Sequence, residues 1–193
     1  MTKHKIAAIG AGLMLGAAFV FGGVTPALAE TLDGIDIASY QAGLDASEVE
    51  GDFVIAKATQ GTGYTNPNWR DWADDTLASG KELGLYHYAS GGNPIAEADH
   101  FANEVGDYAG QGVFVLDWES YQNDVFDSGG DADWIAQFRD EVYTRTGQWC
   151  LVYVSRSAAD LTGVDNEHLW IAQYATNDDV YGYQSNVWNM SLD

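Results

Sequence analysis

Two carboxylates close an apolar run in the middle of the chain: Val113-Phe-Val-Leu-Asp-Trp-Glu119 sets Asp117 and Glu119 two positions apart. On a β-strand such residues share a face, with backbones roughly 6.6 Å apart from the strand rise. Neighbouring carboxylates repel, so one keeps its proton to higher pH, which is what a general acid working near neutrality requires. Trp118 between them should face the other way, into a sheet-to-helix layer. Asp-x-Glu is a weak pattern by itself in a chain with 29 acidic residues. Its place at the end of an apolar run strengthens it, because a carboxylate there is costly unless it stands at a rim or is paired. Asp36, Lys57 with Gln60, His87 and Gln173 also stand at the ends of apolar runs. Converging on one rim, they would make a site.

The elements that must carry these residues are visible as recurring short runs: Gly34-Ile-Asp-Ile-Ala38, Phe53-Val-Ile-Ala-Lys-Ala58, Leu85-Tyr-His-Tyr-Ala89, Val113 to Glu119, Cys150-Leu-Val-Tyr-Val154 and Leu169-Trp-Ile-Ala-Gln-Tyr174. Near-continuous hydrophobicity predicts strands buried on both faces. Between them, helical spacing predicts helices over Pro67 to Leu83 (Trp69, Trp72, Ala73, Thr76 and Leu77 on one face, then Gly84), over Ile95 to Val105, and over Asp133 to Tyr143 with Trp134, Phe138 and Val142 four apart. Alternating strands and helices imply an α/β fold on a parallel sheet, closed as a barrel or open. The stretch Asp124 to Asp133 reads as a long loop after the strand that ends in Glu119, where barrel enzymes build their sites.

Several chemistries are disfavoured. Asp36, His87, Asp117 and Glu119 offer hard oxygen and imidazole donors to a divalent ion, but no His-x-x-x-His, Cys pair or Ca²⁺-loop spacing accompanies them. No metal and no cofactor is therefore expected. The sequence holds no Gly-x-Ser-x-Gly elbow, phosphate loop or dinucleotide fingerprint. Cys150, the one cysteine, lies inside an apolar run and reads as a buried small hydrophobe. His100 and His168 show no evident partner.

At the N-terminus, Lys3 and Lys5 precede an apolar, Gly-rich run and then Ala27-Leu28-Ala29, the pattern of a secretory leader with an Ala-x-Ala cleavage site. Residues 1–29 are expected to be removed, leaving 30–193 as a single secreted domain. The leader holds two of the eight Lys and Arg and none of the acids, so the remainder would carry a formal charge of −23 against −21 for the whole chain. Such a surface does not bind nucleic acid or anionic membranes by electrostatics. A polysaccharide would have to be held by stacking and hydrogen bonds, which 7 Trp and 11 Tyr can supply. A monomer is expected.

The ordered string of strand ends resembles glycoside hydrolase family 25, the lysozymes of bacterial, fungal and phage origin. The matching segments are Gly34-Ile-Asp-Ile-Ala-Ser-Tyr-Gln41, Phe53-Val-Ile-Ala-Lys-Ala-Thr-Gln-Gly61, Tyr64 to Asn68, Gly84-Leu-Tyr-His-Tyr88, Val115-Leu-Asp-Trp-Glu119 and Leu169-Trp-Ile-Ala-Gln-Tyr174, in family order. The resemblance implies a modified TIM-like β/α barrel and hydrolysis of the β-1,4 bond between N-acetylmuramic acid and N-acetylglucosamine in bacterial peptidoglycan. It implies Glu119 as general acid and Asp117 as the carboxylate assisting the substrate's own acetamido group, an exception to the two-carboxylate scheme. Asp36, Tyr86, Tyr88, Lys57, Gln60 and Gln173 would bind the sugar.

Two positions depart from the family pattern. Gln60 stands where the second-strand motif usually has Glu. The family's last strand carries a further Asp; either Asp193 fills that role on a shortened segment, or that strand is missing. These departures keep a second expectation open, a catalytically weakened glycan-binding module of the same fold. Chitin-like polymers are a third, although the longer Asp-x-x-Asp-x-Asp-x-Glu signature is absent because Gly112 to Leu116 is apolar.

Overall fold

A computed structural model describes residues 3–7 and 31–172. Its sheet follows the chain almost in order: β1 (Lys3–Ala7), β2 (Thr31–Ile37), β3 (Phe53–Gln60), β5 (Glu82–Tyr88), β6 (Gly112–Trp118), β7 (Cys150–Ser155) and β8 (Leu169–Ala172), with the short β4 (Tyr64–Thr65) folded back on β3. From β2 to β8 every neighbour on this path is parallel, and β1 pairs antiparallel with β2. The strand β1 lies within the stretch read as a leader. Three helices, α1 (Trp69–Ala78), α2 (Pro94–Val105) and α3 (Asp131–Thr146), make parallel crossovers between consecutive strands of the path. Among the described residues β1 and β8 are the edges of the sheet, so it curls as a half-barrel and is not closed on itself. The expected mostly parallel α/β architecture is present.

Strand alternation sorts side chains onto two unlike faces. On β6, Phe114, Leu116 and Trp118 are buried in the core under the helices, whereas Val115 and Asp117 line the concave face. The convex core is largely aromatic: Trp118, Trp134, Phe138, Phe101 and Phe114 form a run of ring contacts at centroid separations of 5.0–6.2 Å. As expected, Trp118 faces this layer, and its Nε1 donates to Asp131 Oδ1 at the start of α3, 3.1 Å away. Cys150 is fully buried, and burial pushes its thiol up to about 12. The prediction of strands buried on both faces holds for Phe53–Ala56 of β3 but not for β7, where buried and half-buried residues alternate. The concave face is a cleft, not a packed barrel interior.

Helix boundaries moved where turn chemistry intervened. The first helix ends at Ala78 and not at Leu83, because Gly80 adopts a left-handed φ of 76° and the chain then enters β5. Gly84 lies within that strand, packed against Ile55. By contrast α2 starts one residue before the expected position, with the Asn93 side chain accepting from Ala96 N and Pro94 in the first turn. Among the described residues no helix is long and apolar enough to cross a membrane.

Candidate active site

The C-terminal ends of the parallel strands open onto a cleft of about 600 Å³. It gathers Asp36 from the end of β2, Lys57 and Gln60 from β3, Tyr86 and Tyr88 from β5, and Asp117 and Glu119 from β6 and the residue after it. Seven of the nine residues expected at the site thus meet on one surface. Gln173 and Asp193 lie outside the described residues.

Lys57 and Gln60 share this surface although they are three apart, which a regular strand would forbid. The pairing of β3 with β5 slips between them: Lys57 is opposite Tyr86, Thr59 opposite His87 and Gln60 opposite Tyr88. The extra residue is a β-bulge, which turns Gln60 back to the concave side. Lys57 Nζ donates to Gln60 Oε1 at 2.6 Å and sits 4.5 Å from the centre of the Tyr88 ring. Tyr88 in turn donates its hydroxyl proton to the Tyr121 carbonyl, 2.7 Å away.

Electrostatics at the floor follow from burial and charge count. Among the described residues, three carboxylates and one ammonium line the cleft. Burial pushes the Asp117 carboxyl well above the ordinary range, and the charges of Glu119 and Asp36 add to this while Lys57 opposes it. Glu119 is raised by burial and by Asp36, again against Lys57. Lys57 itself is lowered by burial and held up by the two carboxylates. The hydroxyls of Tyr86 and Tyr88 are raised, first by burial and then by the charge of Asp117. Asp117 Oδ1 is enclosed and has no hydrogen-bond partner among the described residues, an arrangement that is costly unless something else supplies a donor.

His87 does not belong to this surface. Alternation along β5 sends Tyr86 and Tyr88 inward and His87 outward, where it is fully buried between Phe101 and Phe138. Its Nε2 lies 3.0 Å from Glu97 Oε2 and its Nδ1 2.7 Å from Thr59 Oγ1. Burial lowers its basicity despite Glu97, so the neutral ring donates from Nε2 and accepts the threonine proton at Nδ1. A metal site built on Asp36, His87, Asp117 and Glu119 is therefore broken up by the sheet itself. His100 has partners as well: Nδ1 donates to the Gly61 carbonyl and Nε2 accepts from Thr65 Oγ1.

Sequence reasoning missed the outer wall. Tyr40 and Tyr121 stand at the mouth, 94% and 71% exposed, with faces available for stacking. Gln122 follows Tyr121, and Tyr153 meets Trp170 edge-on at 4.8 Å on the far side. The inward phase of β7 would have pointed to Tyr153. Tyr40 sits in a one-turn 3-10 helix and Tyr121 and Gln122 in a turn, segments too short for periodicity to carry information.

A curled parallel sheet with a carboxylate pair at the C-terminal end of β6 agrees with the family comparison. Residues 35–190 match the family model described as glycosyl hydrolases family 25. The chain belongs to this family. It is accordingly a glycoside hydrolase. It is 34% identical over 142 residues to an N,O-diacetylmuramidase of Chalaropsis sp, covering 66% of this chain and 67% of that one. It is 28% identical over 151 residues to an autolytic lysozyme of Clostridium acetobutylicum, covering 76% of this chain. The match spans only 46% of that longer relative. Among solved structures, a muramidase from Acremonium alcalophilum superposes with a TM-score of 0.62 at 25% identity, covering 79% of this chain and 81% of its own. The half-barrel is thus shared with the family, and the carboxylate pair lies within the matched residues.

Proposed function

We propose that this family 25 hydrolase is a muramidase that cleaves the β-1,4 bond between N-acetylmuramic acid and N-acetylglucosamine in peptidoglycan, outside the cell, after loss of residues 1–29. The observation that carries the reading is the pair Asp117 and Glu119, both raised by burial and by neighbouring carboxylates, on one side of a cleft with aromatic and hydrogen-bonding walls. The relatives named above, a muramidase and an autolytic lysozyme, support the substrate class.

Glu119, nearer the mouth, serves as the general acid. Its proton passes to the leaving glycosidic oxygen as the substrate's acetamido carbonyl attacks the anomeric carbon from the opposite side, and water later reopens that intermediate with Glu119 as base. Asp117 orients the acetamido group. Its carboxylate lines the cleft and is the acceptor an acetamido N–H requires. Burial and neighbouring charge raise both carboxyls. A glycan that donates to Asp117 and covers Glu119 favours ionised Asp117 and protonated Glu119, as the reaction needs. Asp36 keeps the local field negative, and Lys57 limits it.

The test is release of reducing ends from purified peptidoglycan by residues 30–193, beside Glu119→Gln, with mass spectrometry of the products. Muramic acid at the new reducing ends, lost in the variant, is the expected outcome. General acids contribute on the order of 10²–10⁴-fold, so wall lysis by Glu119→Gln at the parent rate refutes the role given to Glu119. Glycan binding without release by the parent protein would instead leave a binding module of the same fold.

A further inference from the structure

A chain of three side chains crosses the cleft wall, and its direction is fixed at one end. Lys57 can only donate, so the Gln60 atom it meets at 2.6 Å is the carbonyl Oε1. Gln60 must then present its amide at the other end, and Nε2 donates to Gln122 Oε1 at 3.1 Å. With Oε1 turned to Gln60, exposed Gln122 directs its own Nε2 away from that contact, and this amide has no hydrogen-bond partner among the described residues where Gln122 lines the cleft. The backbone of Gln122 is held at φ 57°, a left-handed conformation that a non-glycine residue adopts at a cost and that recurs at ligand clamps.

Resting on the muramidase reading, we propose that Gln122 is a substrate-binding residue that presents an N–H donor to an acyl oxygen on the glycan, with its polarity imposed by Lys57 through Gln60. The imposed direction is what selects the partner. A sugar hydroxyl both donates and accepts and would be served equally by either end of the amide. A carbonyl or carboxylate oxygen only accepts. On the substrate such oxygens belong to the acetamido group and to the acid-bearing or peptide-bearing arm of muramic acid.

Two variants test the direction separately from the fold. In Gln60→Glu, one oxygen still meets Lys57 and the other is an acceptor, so Gln122 must turn its Nε2 toward position 60 and show Oε1 to the cleft. In Gln122→Asn, the left-handed backbone suits asparagine better than glutamine, but the side chain is one methylene too short for Gln60. Steady-state kinetics on soluble N-acetylated peptidoglycan fragments should show KM raised about three- to tenfold in both, the loss of one hydrogen bond. For Gln122→Asn, kcat should stay within about twofold and the melting temperature should equal or exceed the parent's, whereas a merely structural role predicts a loss of stability. Repeating the comparison on de-N-acetylated fragments and on peptide-free fragments identifies the acyl group as the one whose removal makes parent and variants alike. An unchanged KM in Gln122→Asn overturns the proposal. Calorimetric titration of the same fragments gives the readout if the parent protein releases no reducing ends. Weaker binding by both variants then upholds the donor while the functional reading fails, and equal binding, or none by the parent, refutes the donor.

Discussion

Removing the Glu97 carboxylate should loosen one wall of the cleft without touching it. Glu97 lies in the first turn of α2, where its Oε1 accepts from Gly92 N at 2.7 Å and its Oε2 from Ser90 N at 3.0 Å and His87 Nε2 at 3.0 Å. Burial works to raise this carboxyl, but the hydrogen bonds from His87, Ser90 and Gly92 outweigh it and hold it below the ordinary range. In Glu97→Ala, two backbone N–H groups and a buried imidazole lose their acceptor together. Each such bond to a charged group is worth on the order of 1.5–3 kcal/mol, offset in part because a carboxylate is no longer buried. The net loss should be about 3–5 kcal/mol, less than three such bonds together because the cost of burying the carboxylate is relieved with them. At about 2–4 °C per kcal/mol for a chain of this size, the melting temperature should fall roughly 6–20 °C. The loop that Glu97 ties down includes Gly91, at φ 71°, whose backbone packs closely against Asn123 beside Tyr121 and Gln122. Activity should therefore fall as well. Thermal and urea unfolding measure the loss, and amide exchange at Ser90 and Gly92 locates it. The sign with pH is defined: a depressed carboxyl contributes stability above its unfolded pKa and loses it as pH falls through the folded value. The gap between parent and Glu97→Gln should accordingly close in acid. A loss below about 1 kcal/mol, or undiminished protection at both amides, would refute the account.

Asp117→Asn should be nearly inactive yet melt a few degrees higher than the parent at neutral pH. A raised carboxyl loses stability as pH rises from its unfolded value through the folded one, so the difference should vanish in acid; differential scanning calorimetry across pH checks this. Lys57→Met removes a cation that lowers both carboxyls, so the alkaline limb of the pH–rate profile should move to higher pH. Residues 30–193 should fold without β1, because β2 keeps its parallel pairing with β3 from Gly34 to Ile37; circular dichroism and a cooperative melt test it.

Much of the site was legible because it depends on short-range rules. Strand periodicity put Asp117 and Glu119 on one face and Trp118 on the other, and the same rule applied to β5 would have separated His87 from Tyr86 and Tyr88. Treating His87 as a rim residue overlooked that alternation. The helix of Trp134, Phe138 and Val142 was readable from spacing alone, and it runs from Asp131 to Thr146. The end of α1 was misjudged because Gly80 outweighed an apolar pattern that continues into β5.

By itself the sequence determined the alternation of strands and helices, the polar residues at the strand ends, the acidic charge and the family. These are properties of consecutive residues and need no knowledge of what packs where. Only the tertiary structure decided that the concave face is an open cleft, that a bulge after Lys57 brings Gln60 beside it, and that Gln122 reaches Gln60 across 62 positions. It also decided that both carboxyls are raised, because desolvation and neighbouring charge depend on distances between strands that pair far apart in the chain.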